Sequence, residues 1–248
     1  MKRAFTLIEL LVVIAIVAAL AAIVFTMFQS ARAKAQKAGA LQKMRSLGTA
    51  FAGYTSDKNG LLPYEDCIGS NEWQDAAHPD NQEVWYNALT RQMNATTVGE
   101  LGQTNPQAFY DESYPLYIPG APYPGAGKRL ASPVFAVGMN SRLQRKDDSG
   151  VKKQEQFAKI LEPAKTVIFL ERGLPNDKKT YSGQRGFDGS PKANARAFAA
   201  RHNQEGVLVF ADGHAEVHKA SNLISTSGLI NFPQLKIVWT LNPNEDPN

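Results

Sequence analysis

Residues 10–28 read LLVVIAIVAALAAIVFTMF, nineteen positions without a charge. As a helix rising 1.5 Å per residue, such a run spans most of the roughly 30 Å hydrocarbon layer of a bilayer. It is too long and too uniformly apolar to be one stripe of a surface helix, so it needs lipid or other helices on all sides. The basic start at Lys2 and Arg3, with Ala31-Arg32-Ala33 beyond the run, also suggests a cleaved secretory signal. Two features oppose that reading. The run exceeds the roughly 7–15 apolar residues of a secretory h-region, and Glu9 stands at its very start, where a lone carboxylate in lipid costs several kcal/mol. A group that costly calls for a partner.

Charge is unevenly spread. Residues 1–58 hold eight cations against two anions, and the remainder 19 against 21. A basic stem under a slightly acidic body lacks the basic folded face with aromatic stacking residues that a nucleic-acid binder requires, so no nucleic-acid partner is expected. The single Cys67 precludes an intramolecular disulfide and reads as a small apolar side chain.

The segment Lys2-Arg3-Ala4-Phe5-Thr6-Leu7-Ile8-Glu9-Leu10-Leu11-Val12-Val13 resembles the processing signal of type IV prepilins and the pseudopilins of type II secretion. The resemblance implies cleavage between Ala4 and Phe5 by a prepilin peptidase and methylation of the new Phe5 amine; Ala4 replaces the family's usual Gly. It also implies an assembly role for Phe5 and Glu9, whose amine and carboxylate can neutralise one another between neighbouring subunits. Partners implied are other pseudopilin subunits, the inner-membrane assembly machinery and membrane lipid. The location implied is a single pass through the inner membrane, with the head outside the cytoplasm and later in a filament. The positive-inside count alone would place the N-terminus outside, because Arg32, Lys34, Lys37, Lys43 and Arg45 follow the apolar run. The resemblance keeps the leader cytoplasmic, and those cations then read as the solvated face of a helix.

Downstream there is no proline before Pro63, and Leu41, Met44, Leu47, Phe51 and Tyr54 recur every three or four residues, an apolar stripe suited to packing on a sheet. Ser56-Asp57-Lys58-Asn59-Gly60 is the expected stop. The division expected is a leader at 1–4, a membrane or filament-core helix at 5–28, an amphipathic stem at 29–56 and a globular head at 57–248. In the head, residues 83–93 read as helix, 133–140 and 165–171 as central strands, and 206–218 as a hairpin about a type I′ Asp212-Gly213 turn. The stretch 94–132, with Phe109, Tyr110, Tyr114, Tyr117 and Tyr123, reads as an irregular surface excursion packed on the domain. The fold class expected is α+β, a long N-terminal helix against an antiparallel sheet. His202, nine intervening residues and Asp212-Gly213 are similar to the H-x9-DG signature of a pseudopilin-like family.

Metal chemistry has thin support. His214, Glu216 and His218 share one strand face but point in parallel, about 6–7 Å apart. Asp57, Glu65 and Asp66 are a weaker calcium candidate, suggested because some major pseudopilins bind calcium in the head; otherwise no cofactor is expected. With no Gly-x-Ser-x-Gly elbow, no phosphate loop and no activation signature around Cys67, the chain reads as a structural subunit and not an enzyme. The alternatives are a tethered binding or adhesion module that does not polymerise, and a membrane-anchored metalloenzyme using His214 and His218.

Overall fold

The structure, a computed structural model, describes residues 7–125, 130–144 and 153–248. Helix α1, Leu7–Asp57, is continuous over 51 residues, about 76 Å at the standard rise. It ends one residue beyond the expected position. There Lys58 N still donates to Tyr54 O at 2.9 Å and Gly60 N to Thr55 O at 2.7 Å, while Asn59 (φ 53°) and Gly60 (φ 82°) turn left-handed.

Of the expected stripe, Met44, Leu47, Phe51 and Tyr54 are buried and Leu41 is partly so, joined by Ala40 and Ala50. They face a five-stranded sheet ordered β3-β1-β2-β4-β5, with β1 at Val137–Asn140, β2 at Val167–Glu171, β3 at Lys192–Ala193, β4 at Glu205–Phe210 and β5 at Ala215–Lys219. All pairings are antiparallel except β1 with β3. The Phe51 and Phe169 rings meet edge-on at 5.9 Å, a favourable aromatic geometry.

The sheet is covered on both sides. On β4, Val207 and Val209 join the core under α1, whereas Leu208 and Phe210 join a second core with Phe198, Leu223, Ile230 and Trp239. On β2 the alternation is broken: Ile168 and Phe169 both belong to the first core, Val167 and Leu170 to the second. A register irregularity between Val167 and Phe169 accounts for this, since an extra residue in the ladder flips the side chains that follow. Buried Asn140 ties the layers together, its amide donating to Val167 O at 2.8 Å and Trp239 O at 3.0 Å.

Helix α2 is Trp73–Ala76, and the expected helix at 83–93 forms as α3, Trp85–Gln92, with both sides of it buried. The 94–132 stretch is more regular than expected. It contains helix α4, Val98–Thr104, held by a capping box in which Thr97 and Glu100 satisfy each other's backbone N–H groups. Its rings pack inward: Phe109 meets Trp73 at 5.7 Å and Phe135 at 5.1 Å, and Tyr117 stacks on Tyr123 at 5.0 Å.

The hairpin forms, but its turn is not the expected type I′. Asp212 is absent from the positive-φ residues, Gly213 N donates to Phe210 O at 2.9 Å and Phe210 N to His214 O at 2.9 Å. This is a three-residue loop, Ala211-Asp212-Gly213, closed by Gly213 at φ 91°. The loop also meets α1. A Cβ on Gly48 would lie 2.3 Å from Gly213 O, so the loop tip rests backbone to backbone on the stem. Gly48→Ala is therefore expected to cost about 1–3 kcal/mol, because backbone must move apart. Denaturant unfolding of the detergent-solubilised chain checks this, and an unchanged midpoint would refute the contact.

Candidate functional site

Among the described residues, the N-terminal half of α1 contributes nothing to the buried core of the head. Every described side chain from Leu7 to Ala35 is exposed, and by length and composition the helix can cross a membrane. Glu9 lies on this exposed stretch of the helix. Ala4 and Phe5, the expected processing residues, lie outside the described residues. An exposed apolar cylinder of this length is chemically a membrane anchor or a helix awaiting neighbours.

The basic segment beyond it is only partly the solvated face expected. Arg32, Lys34 and Arg45 are exposed, but Lys37 Nζ bonds Glu205 at 2.6 Å. Lys43 Nζ donates to Glu112 O at 3.1 Å and Tyr114 O at 2.8 Å, and burial holds its ammonium below the usual lysine value. At the far end of the stripe, Tyr54 Oη donates to Glu83 Oε2 at 2.6 Å. Polar contacts thus fasten the stem to the head along both margins of the apolar stripe.

His202 and Asp212-Gly213 do not meet. They bracket β4, His202 before its first residue and Asp212-Gly213 after its last. His202 exchanges backbone hydrogen bonds with Glu205 at 2.8 and 3.2 Å, while its buried ring puts Nε2 3.3 Å from Glu171 Oε1. Its side chain therefore lies beside a buried ionic cluster, and its Nε2 makes no hydrogen bond there. Fully buried Glu171 accepts from Val207 N at 3.0 Å and from Arg201 Nη1 at 3.1 Å. Arg201 in turn grips Asp177 through Nε at 3.0 Å and Nη2 at 2.6 Å. Burial alone would lower the Arg201 pKa, but Glu171 and Asp177 outweigh it and hold the guanidinium above its ordinary value. Beside it, buried Arg172 contacts Asp188 and keeps that carboxyl below its usual range in spite of burial. Glu171, Arg201 and Asp177 were not singled out from sequence; the available signal was a carboxylate closing the wholly apolar run Val167-Ile168-Phe169-Leu170.

The suggested metal ligands are already engaged with one another. Glu216 bridges His218 Nε2 at 3.0 Å and His214 Nε2 at 3.5 Å. His214 also bonds Asp212 at 2.5 Å and stacks on Phe210 at 4.5 Å. His202 does not join them. Asp57 accepts from Gln92 at 3.0 Å and Asp66 pairs with Lys192 at 2.6 Å, while the backbone N–H of Glu65 donates to Gln144 Oε1 at 3.0 Å. Among the described residues no three His, Cys, Asp or Glu side chains are arranged to hold a metal ion.

A family model for the prokaryotic N-terminal methylation motif matches residues 1–25. The segment that spans Ala4, Phe5 and Glu9 is therefore a type IV pilin-like signal. With it stand a long apolar helix and a mostly antiparallel five-stranded sheet, an α+β arrangement consistent with a pilin-like fold. The match ends before the stem enters the head and does not extend to His202 or Asp212-Gly213. Comparison with curated proteins and with solved structures gives no significant match.

Replacing Glu171 with Gln leaves buried Arg201 one carboxylate short, and is expected to cost about 3 kcal/mol. Thermal or denaturant unfolding of the variant measures it; a wild-type midpoint would mean that the cluster does not hold the sheet to the loop at 172–202.

Proposed function

We propose that this chain is a structural subunit of a type II secretion pseudopilus or a type IV pilus-like filament. Prepilin peptidase removes residues 1–4, the Phe5 amine is methylated, and the subunit waits in the inner membrane with its head outside the cytoplasm. The observation that carries this reading is the methylation signal at 1–25 running directly into a 51-residue helix whose described side chains from Leu7 to Ala35 are exposed.

The physical logic is an exchange of surroundings. Lipid covers the apolar half of α1 in the membrane, and neighbouring helices replace it in a filament core, where close packing gains dispersion contacts that lipid tails do not provide. Glu9 makes the exchange selective. In lipid its carboxylate is costly, and the Phe5 amine of an adjacent subunit offers the opposite charge at the matching depth, so docking in the correct axial register neutralises both. The heads, fixed to the stems through the apolar stripe and its polar margins, form the outer surface. Other copies or related subunits and the inner-membrane assembly machinery are the partners this requires.

Mass spectrometry of the membrane-extracted protein is expected to find a chain starting at Phe5 and bearing one added methyl group; an intact Met1, or a start near Ala33, would replace this reading with a tethered or secreted module. Glu9→Ala is expected to leave membrane insertion unchanged while abolishing incorporation into filaments. Incorporation at the wild-type level would remove the role given to Glu9.

A further inference from the structure

The stem meets the head along an open groove of about 510 Å³, lined by Arg32, Gln36, Tyr117, Pro119 and Gly120, with Glu112 at one end. Its orientation along α1 follows from three contacts. Lys43 holds the Glu112 carbonyl, a Cβ on Gly39 would lie 3.1 Å from Pro119, and one on Gly120 would lie 3.3 Å from Gln36. The segment 112–121 therefore descends the stem toward the membrane, with the Glu112 carbonyl held by Lys43 at the upper end and Arg32 at the lower mouth.

Arg32 comes four residues after Phe28, so it emerges about 6 Å beyond the apolar run. A bilayer's headgroup layer is about 5–8 Å thick on each side, which puts the guanidinium at phosphate depth. Residues 29–56 contain five cations and no anion. Lys37 and Lys43 are engaged with Glu205 and with carbonyls of the 112–114 turn, whereas Arg32 and Lys34 are exposed and form no ion pair among the described residues. Half-buried Tyr117 supplies an amphipathic ring beside the mouth, of the kind that settles at the headgroup level. Among the described residues, the one carboxylate lining the groove is Glu112, on the upper end of the segment.

We infer that this groove seats the headgroup of an anionic phospholipid from the leaflet through which the stem emerges, with Arg32 at its mouth binding the phosphate and Lys34 reinforcing the charge from the other side of the helix. The inference rests on the membrane-inserted reading above. It gives the cations that contravene the positive-inside pattern a counter-charge, and it sets the height of the head above the bilayer.

The test uses the full chain in nanodiscs of mixed phosphatidylcholine and phosphatidylglycerol, followed by native mass spectrometry of the lipid retained on the released protein. Enrichment of phosphatidylglycerol is expected for the wild type, falling about fivefold in Arg32→Gln, as one cation near an anionic surface implies. Arg45→Gln, more than three helical turns above Arg32, is expected to retain the enrichment and serves as the charge control. Lipid retained in bulk proportion by the wild type, or full enrichment in Arg32→Gln, would overturn the inference. So would displacement of the lipid by inorganic phosphate alone, which would mark a site for the free anion, or crosslinking of residue 32 to a neighbouring head without lipid enrichment. A chain that never enters the nanodisc would defeat the membrane reading itself; one that enters without preference defeats only this inference.

Discussion

One helix has to satisfy two solvents. From Leu10 to Phe28 α1 is apolar or small on every side, and from Ala40 to Thr55 the same rod is amphipathic and half-buried. No break separates the halves, so the head cannot fold without committing the apolar half to a direction in space. Everything else in the molecule depends on how firmly the sheet grips the second half. That grip is hydrophobic at its centre, through Met44, Leu47 and Phe51, and polar at its edges, through Lys37, Lys43 and Tyr54. Specific orientation comes from the edges, because apolar burial is non-directional while a 2.6 Å ion pair is not.

On the far side of the sheet the problem is different. Strands β1, β2 and β4 are buried on both faces, yet the covering layer is built largely from loops and short 3₁₀ turns. Such a layer has many backbone polar groups to satisfy. Buried side chains supply the partners: Gln184 and Gln234 bond backbone atoms around them, Asn140 spans the two layers, and Glu171 with Arg201 and Asp177 closes the seam between β2 and the segment leading to β4. Charge is tolerable in this interior because each group in that chain of contacts faces an opposite one.

How much of this was legible from sequence varied with the range of the interaction. The membrane-length run, the stripe from Leu41 to Tyr54 and the runs that became β1, β2 and β4 are local patterns; the first is an exposed helix, the stripe packs on the sheet and the others form strands. Helix α4 was legible in principle, since Thr97-Val98-Gly99-Glu100 is a capping box, but the prolines that follow masked it. The two-residue strand β3 carries no periodicity at all and exists only because β1 offers it an edge. The turn after β4 reads from Asp-Gly as a two-residue turn; the Gly is also what closes a three-residue loop, and the loop's contact with Gly48, more than 160 residues earlier, has no local signal. The ionic cluster shares that limit, for Glu171, Asp177 and Arg201 are separated by up to 30 residues and announce themselves only as polar groups in apolar company. His202 and Asp212-Gly213 were noted for their spacing, and the structure gives that spacing a physical content: it is the length of one strand plus an anchor at each end.

The absence of any hinge between residues 28 and 40 also has a mechanical side. A pull on the head runs along the axis of α1, where it loads backbone hydrogen bonds in series with the side-chain grip of residues 40–55. Because that grip lies parallel to the axis, it is loaded in shear, and the contacts from Lys37 to Tyr54 share the force instead of opening one at a time. The stem thus behaves as a splint, continuous through the point where the sheet takes hold of it.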